Sequence, residues 1–514
     1  MKIKLSQIAK NSLLVATFFL VDKVIGLIRQ VVIVRQFGLS HELDAFNVAN
    51  NLPDMLFALI SGGALAMAFI PVLTQILTLE GRESAWRLFS RIANLAFVVT
   101  ATAAIIIAII SNQLVEWQVG IAPGFERPQQ LLVAELMRLN LIATVIFSLS
   151  GLVIAGLQAN QHFLLPAAAP VLYNIGQIFG ALILAPQEGY SIGGYQLPAF
   201  GMGVHGLVYG VIIGALLHLL IQIPGLLKYR FHWEFGIHLK DQNVQQVLRI
   251  LGPRLVTMLF IQLIFIVRDN LASRMDIGSV SALTYGWMFF QMPETLIGTA
   301  IGTAMLPGIS ELAAKKDWKE FAKTIEKAIQ TLIALTLPVA AVMSAGLGGV
   351  ISEAFNFTPE QTNLVLWVTR AYLLGLAGQC MVEVAVRSFY SRKDSITPLI
   401  TAGFKLAIYV VSGILLVNLI GVPGLALADC IAYTSESILL LILFTRYIDQ
   451  KVNFIVSIPR GILSGAIGFI CTYSIILLMG GFARPILVSL LAMVVGGIAM
   501  SPIIWKELKL LTRL

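Results

Sequence analysis

Long apolar stretches recur along this chain and are separated by short polar segments. A helix must be about 30 Å long to cross the hydrocarbon core of a membrane. Fourteen stretches are long enough, with approximate limits 10–36, 44–77, 88–112, 131–157, 164–186, 201–227, 246–273, 280–309, 322–348, 361–388, 396–419, 422–446, 457–479 and 484–505. A membrane β-barrel would instead show alternating apolar and polar positions over about ten residues. The pattern predicts an all-α polytopic membrane protein with about 14 transmembrane helices.

Composition supports this prediction and limits the chemistry. Hydrophobic residues make up 58% of the 514 positions and charged residues 12%, whereas soluble domains carry about 25% charged residues. Cys380, Cys430 and Cys471 lie far apart in apolar segments, so we expect core side chains and no disulfide framework. The six histidines form no ligand motif, so we expect no metal site. The first span is long, internally charged and lacks a cleavage site, which favours a retained helix over a signal peptide.

Basic residues concentrate in alternate loops. They precede span 1 and follow spans 2, 6, 8, 10, 12 and 14, as Lys2, Lys4 and Lys10, Arg82 and Arg87, Lys228, Arg230 and Lys240, Lys315, Lys316 and Lys319, Arg392 and Lys393, Arg446 and Lys451, and Lys506, Lys509 and Arg513. Cytoplasmic loops carry an excess of Lys and Arg, so both termini are predicted to be cytoplasmic. Membrane orientation thus accounts for the net charge of +8, and we expect no nucleic-acid partner.

Two sequence motifs recur six spans apart. Gly203-Val204-His205-Gly206-Leu207 opens span 6, and Gly421-Val422-Pro423-Gly424-Leu425 opens span 12. Leu52-Pro53-Asp54 in span 2 is echoed by Met292-Pro293-Glu294 in span 8. Parallel repeats related by an axis along the membrane normal are typical of transporters, which bind substrate between the halves near mid-membrane.

The repeat predicts three parts. Two six-helix lobes with pseudo-two-fold symmetry cover residues 1–230 and 231–450, and two additional helices cover residues 451–514.

Lys23 and Arg29 lie inside span 1, where a lipid-facing helix would carry no charge. A cation at bilayer depth costs at least about 2.5–3.5 kcal/mol, so it normally faces a partner or a water-filled cavity. Asp22 lies seven residues before Arg29 and therefore shares its helical face. The two interpretations are an internal ion pair and a cationic binding cavity.

Span 7 carries cations in the corresponding place of the second half. Arg254 and Arg268 are fourteen residues apart, close to one helical face. If both halves face a shared cavity, these groups suit a phosphate or pyrophosphate. The alternatives are that Arg268 pairs with the adjacent Asp269, and that Arg254 extends to the cytoplasmic interface.

Asp44, Glu383 and Arg387 are further charged residues in apolar spans. Asp44 heads span 2, either as an acid favoured by the helix dipole or in a gating ion pair with Lys23 or Arg29. Glu383 and Arg387 have i,i+4 spacing and are expected to form a structural pair.

Lys405 on span 11 has no adjacent acid and is interpreted as a cation without a partner. No nucleotide-binding, kinase or hydrolase motif is present in the chain.

A series of short motifs runs along nearly the whole chain in a fixed order. They are Leu43-Asp44-Ala45-Phe46 with Leu52-Pro53, Ala68-Phe69-Ile70-Pro71, Ala122-Pro123-Gly124-Phe125, Pro166-Ala167-Ala168-Ala169-Pro170-Val171-Leu172-Tyr173-Asn174, Gln222-Ile223-Pro224, Gly278-Ser279-Val280-Ser281, and Phe389-Tyr390-Ser391-Arg392 with Thr397-Pro398. With them the chain resembles the MurJ (MviN) family of proposed lipid II flippases, within the multidrug/oligosaccharidyl-lipid/polysaccharide exporter superfamily.

The resemblance implies two lobes that open alternately, a cationic central cavity for the diphosphate headgroup, and a groove for the polyprenyl tail formed by the last two helices. Lys23 and Arg29 match the two basic positions of the family's first helix, with lysine replacing an arginine at the former, and Asp44 matches its acidic position. Phe57 and Met288 depart from the family pattern, which has arginines there on helices 2 and 8.

Some members of this family bind sodium between helices 7 and 11. Asp269 is suitably placed on the former, while Lys405 on the latter puts an ammonium group where an ion would sit. We therefore expect no sodium requirement and no other cofactor, with Lys405 acting as a resident cation.

The resemblance predicts a monomeric transporter, not an enzyme. Its expected activity is alternating-access flipping of the undecaprenyl-pyrophosphate-linked peptidoglycan precursor lipid II from the cytoplasmic to the outer leaflet of the bacterial inner membrane. A flippase for another polyprenyl-linked oligosaccharide and a non-transporting membrane scaffold stay open as alternatives. A membrane-embedded transferase is disfavoured because the short loops are poor in carboxylates and histidines.

Overall fold

The computed structural model of the protein describes residues 7–61, 63–448, 450, 452–481 and 483–511, and these are almost entirely helical. Within them the α-helices are α1 (Gln7–Phe37), α2 (His41–Ala49), α3 (Asn51–Leu56), α4 (Gly63–Leu79), α5 (Arg82–Glu116), α6 (Arg127–Ala159), α7 (Leu164–Phe179), α8 (Val204–Leu220), α9 (Ile223–Lys228), α10 (Gln242–Ala272), α11 (Ser279–Pro293), α12 (Ala300–Lys315), α13 (Trp318–Phe355), α14 (Pro359–Leu374), α15 (Leu376–Tyr390), α16 (Ile396–Ile420), α17 (Val422–Ile448), α18 (Ile458–Met479), α19 (Pro485–Met500) and α20 (Trp505–Leu511).

Short elements interrupt or connect these helices. Three π-helical turns are π1 (Phe57–Ser61), π2 (Gly180–Leu184) and π3 (Glu294–Thr299), and a 3-10 turn covers Ile455–Ser457. A small antiparallel hairpin, β1 (Ser191–Ile192) and β2 (Tyr195–Gln196), lies in the loop before α8.

The predicted all-α polytopic membrane fold is confirmed. Ten helical runs in the described part of the chain are long and apolar enough to cross a membrane, and α14 with α15, bent by 43°, makes an eleventh. The remaining predicted spans coincide with α1, with α2 to α4, and with α19, which is 16 residues long.

Spans 2 and 8 share a break in regular helical geometry. In span 2, π1 follows Pro53 and Asp54, and in span 8, π3 begins directly after Pro293. Proline removes a helical hydrogen bond, and π-helical turns occur frequently at functional sites. The shared break agrees with the repeat predicted from the two motifs.

Local sequence fixes the starts of α13 and α14. Asp317 caps α13 by accepting a hydrogen bond from the Glu320 backbone N–H at 3.2 Å. Thr358 and Gln361 form a reciprocal capping box at α14, which satisfies two backbone donors left without helical partners.

The chain divides into two compact units, Met1–Gln262 and Leu263–Leu514, with the boundary inside α10. In the first unit, α5, α6, α7 and α8 form the main bundle. In the second, α13 packs against α14, α15, α18 and α19, while α17 packs against α14, α15 and α16. The lobe limits at residues 230 and 450 stay predictions.

Glycines bring α7 and α8 into backbone contact. A Cβ atom added at Gly176 would lie 2.4 Å from the Gly214 Cα atom, and one added at Gly180 would lie 2.6 Å from the Gly210 Cα atom. Small residues at helix interfaces in membranes allow this close approach. The contact fixes the height and rotation of α7, which carries Tyr173 and Asn174.

We predict that Gly176→Ala lowers thermal stability, because its Cβ meets backbone and no side chain is there to move aside. Such overpacking costs about 1–3 kcal/mol. Thermal unfolding of the detergent-purified protein measures it. The matched control is Gly497→Ala in α19, where the added Cβ has no atom within 4 Å. Equal melting temperatures for the two variants would contradict the close α7–α8 contact.

Candidate functional site

Asn174 on α7 connects the acid and the base of α1. The Arg29 Nη1 atom donates to the Asn174 Oδ1 atom at 2.8 Å, and Asn174 Nδ2 donates to the Asp22 Oδ1 atom at 2.8 Å. A side-chain amide offers both a donor and an acceptor, so one residue serves both charges. The predicted association of Asp22 with Arg29 is therefore present as an amide-bridged arrangement, with α1 packed on α7.

Among the described residues, the bridge uses one terminal nitrogen of the Arg29 guanidinium. Guanidinium has five N–H donors, and the Nε donor is buried without a hydrogen-bond partner among the described residues. Gly26 lies between Asp22 and Arg29 in α1, and a Cβ atom added there would already contact the Asn174 amide at 3.7 Å.

Lys23 has a different environment from Arg29. Its side chain is exposed, and Nζ lies 5.1 Å from the centroid of the Phe19 ring on the same helix. Successive residues are rotated by about 100° around a helix, so Lys23 lies off the face that carries the bridge. In the structure, the side chains of Lys23 and Arg29 therefore contact different groups.

Asp44 is buried in the first turn of α2, with 1% of its surface exposed. Ser40 caps this helix by accepting from the Leu43 N–H at 3.2 Å. This position suits an acid favoured by the helix dipole. The gating ion pair with Lys23 or Arg29 stays a prediction.

Arg268 and Asp269 form a buried local pair near the C-terminal end of α10. The Arg268 Nε atom donates to Asp269 Oδ1 at 2.8 Å, and its guanidinium lies 5.0 Å from the Phe265 ring centroid. This is the pairing given above as the alternative to substrate binding. A substrate role for Arg268 stays a prediction, and the side chain of Arg254 on the same helix lies outside the described residues.

Lys405 has a partner, and its interpretation as an unpaired cation is wrong. Its Nζ atom lies 3.0 Å from the Glu436 Oε2 atom and 4.7 Å from the Tyr433 ring centroid. Only 5% of Lys405 and 2% of Glu436 is exposed. The prediction failed because the acid lies on the neighbouring helix α17, where spacing along α16 cannot reveal it.

Sequence reasoning missed two acids on α17. Asp429 and Glu436 are both buried and seven residues apart, hence on one helical face. Asp22 and Arg29 in span 1 have the same seven-residue spacing, so this pattern of charged residues on one helical face is visible in the sequence. Glu383 and Arg387 form the expected ion pair on α15.

Within the described residues, no group of three or more His, Cys, Asp or Glu side chains is arranged to hold a metal ion. Sodium independence stays a prediction.

The chain matches a family model over residues 33–499, and that model is described as lipid II flippase MurJ. The chain belongs to the MurJ family. A lipid II flippase MurJ of Burkholderia cenocepacia is 29% identical over 440 residues, covering 84% of this chain and 82% of that protein. A probable lipid II flippase MurJ of Thermotoga maritima is 24% identical over 455 residues and covers 88% of both chains.

Solved structures place the fold in the same group. A lipid II flippase MurJ in an inward closed conformation superposes with a TM-score of 0.75 at 20% identity, over 96% of this chain and 99% of that one. An inward-facing MATE multidrug resistance transporter of the MOP superfamily gives a TM-score of 0.67 at 15% identity, over 84% and 98%. The MurJ fold therefore extends over almost all of this chain.

Proposed function

We propose that this protein is an alternating-access flippase that moves lipid II from the cytoplasmic to the outer leaflet of the bacterial inner membrane. Membership of the MurJ family supports the proposal, since relatives across much of the chain bear the description lipid II flippase. The observation that carries it is Arg29, a guanidinium inside an apolar span that Asn174 orients through one terminal nitrogen.

The chemistry of Arg29 suits a lipid pyrophosphate. Guanidinium binds phosphate oxygens through two parallel hydrogen bonds, which fixes orientation as well as charge. Asn174 shares Arg29 with Asp22, which limits the free energy of holding the cation in the membrane before substrate arrives. We further propose Lys23, Asp44, Arg254 and Arg268 as substrate-binding residues, a proposal that rests on the sequence pattern.

Membrane potential offers a driving force for resetting an empty cationic cavity. Each elementary charge moved through the full field is worth about 2.3 kcal/mol per 100 mV.

We predict that Arg29→Ala abolishes complementation of a strain depleted of its lipid II flippase, while the protein still accumulates in the membrane. Asn174→Ala is expected to reduce complementation, because it removes the group that orients Arg29. The matched control is Arg138→Ala, an exposed arginine of α6, which should complement fully. Full complementation by Arg29→Ala would refute the role of Arg29. If the double variant Arg29→Ala/Arg268→Ala also shows no growth defect, the scaffold alternative is favoured.

We further propose that spans 13 and 14 take part in holding the polyprenyl tail. An apolar groove of about 390 Å³ lies between α13 and α18, and α18 packs on both α13 and α19. Gly461 and Gly465 are among the residues that line it. Its lining carries no charged side chain, as an alkyl or prenyl chain requires.

We predict that Ala466→Phe, which fills this groove, weakens flipping of a long-chain lipid substrate in proteoliposomes by about tenfold. Loss of about two buried methylene contacts, each worth about 0.8 kcal/mol, gives that factor. Ile467→Phe adds the same ring on the neighbouring exposed position outside the groove and should leave flipping intact. Equal loss in both variants would count against a tail site here.

We also propose that transport needs no sodium because the Lys405 ammonium serves as a resident cation beside Glu436. Flipping in proteoliposomes should then proceed equally in sodium and potassium buffers. Lys405→Met leaves a buried carboxylate unpaired and should lower stability by about 3–5 kcal/mol, and Lys405→Met/Glu436→Gln should recover part of it. Sodium-dependent transport that Asp269→Asn abolishes would overturn the proposal.

A second candidate is flipping of another polyprenyl-linked oligosaccharide. Phe57 and Met288, at positions where the family pattern has arginines, favour it because they remove two cations from the expected headgroup site. Native mass spectrometry identifies which lipid the protein retains. In either case we propose a monomer with both termini in the cytoplasm and no nucleic-acid partner.

A further inference from the structure

The N-terminal unit encloses a cavity of about 550 Å³ between α3, π1, α6, α7 and α8. Its walls include Asp54, Phe57, Phe147, Tyr173 and His218, all from residues of this one unit. The cavity is large enough for a small organic ligand, since ligand sites typically measure about 300–1,000 Å³.

Asp54 supplies a carboxylate to this cavity. Its side chain is accessible, and it has no hydrogen bond or ion pair with another side chain in the part of the chain that the structure describes. Glu294, its counterpart in the repeated motif, is 7% exposed and accepts hydrogen bonds from Thr299 at 3.0 Å and Thr295 at 3.3 Å. Glu294 thus has hydrogen-bond partners within the protein, whereas the Asp54 carboxylate is accessible to a ligand.

Asn140 supplies a second acceptor in the same cavity. It is 2% exposed, and its Nδ2 atom donates to Asn50 Oδ1 at 2.9 Å. Its Oδ1 atom has no hydrogen-bond partner among the described residues. Buried amide oxygens normally accept a hydrogen bond, so a donor is the missing partner.

Aromatic rings form much of the remaining wall. Phe147 meets Phe57, Tyr173 and His218 edge to face, with centroid distances of 5.5, 5.0 and 5.3 Å. Aromatic faces attract cations through their quadrupoles. Phe57 lies one helical turn after Asp54 and is uncharged, so it does not offset the charge of the carboxylate.

Two basic groups near this cavity, His218 and Arg29, each have a hydrogen-bond partner in the same unit. Ser150 lies 2.7 Å from His218 Nδ1 and accepts from Gln222 Nε2, whose donation to the His218 carbonyl fixes the amide orientation. The His218 ring is thus held in a hydrogen-bonded contact with Ser150. Arg29 donates to Asn174, which in turn donates to Asp22.

We propose that this cavity binds an organic ammonium ion with an apolar body. Asp54 and the Asn140 amide oxygen accept hydrogen bonds from the ammonium group, and the rings of Phe57, Phe147 and Tyr173 contact the cation and its apolar substituent. The ammonium belongs either to a free amphiphilic amine or to an amino group on the headgroup of the transported lipid. The site is independent of whether the protein flips lipid II, because its acceptors and rings belong to one unit.

The test is equilibrium binding of radiolabelled 2-phenylethylamine, charged at neutral pH, to the purified full-length protein by scintillation proximity. We expect saturable binding that 2-phenylethanol, the neutral analogue, does not displace. Asp54→Asn should weaken binding at least about tenfold through loss of a charged hydrogen bond, and Phe147→Leu about fivefold through loss of a ring. Glu294→Gln, the matched acid of the other half, should bind as the wild type does.

Competition then separates the two sources of the ammonium group. If a lipid-linked headgroup with a free amino group displaces the probe and its N-acetyl form does not, the natural ligand is the amino group of the headgroup. If neither form displaces the probe, the natural ligand is a free amine. Three results would overturn the proposal: no saturable binding, displacement by 2-phenylethanol, or unchanged affinity in both Asp54→Asn and Phe147→Leu. A melting temperature for each variant equal to that of the wild type confirms that altered binding does not reflect unfolding.

Discussion

The cost of placing charge where no water can solvate it governs the placement of polar groups in this protein. Inside a hydrocarbon layer each ionised group needs a partner within the protein or a wet cavity. The chain meets this requirement in three ways: an amide bridge between Asp22 and Arg29, a contact between sequence neighbours Arg268 and Asp269, and a contact across helices between Lys405 and Glu436. These arrangements differ in how much of each charge they leave for a ligand.

That difference bears directly on function. Lys405 and Glu436 are both enclosed and form an ion pair, so they are suited to a structural charge or a resident cation. Arg29 is held at a single terminal nitrogen by a neutral amide, an arrangement that orients the guanidinium without neutralising it. The first kind of pairing suits stability, and the second suits a binding group that must also survive an empty state. The proposed phosphate contact is therefore assigned to Arg29 first.

Spans 2 and 8 share the same helical break but place their acidic residues in different environments. Pro53 and Pro293 precede π-helical turns in spans 2 and 8, and each is followed by an acid. Glu294 satisfies itself with two threonine hydroxyls, whereas Asp54 faces an aromatic cavity. Glycine contacts between α7 and α8 hold one wall of that cavity and also position Asn174. Packing that supports the bridge thus supports the neighbouring cavity as well.

The sequence by itself determined the fold class and the family, because apolar length and motif order are local properties of the chain. It also predicted the pair Glu383 and Arg387, which are four residues apart on one helix. Only the tertiary structure paired Lys405 with Glu436 and joined Asp22 to Arg29 through a residue 145 positions from Arg29. Helix periodicity specifies which residues share a face, but the partner of that face depends on how helices distant in sequence pack together.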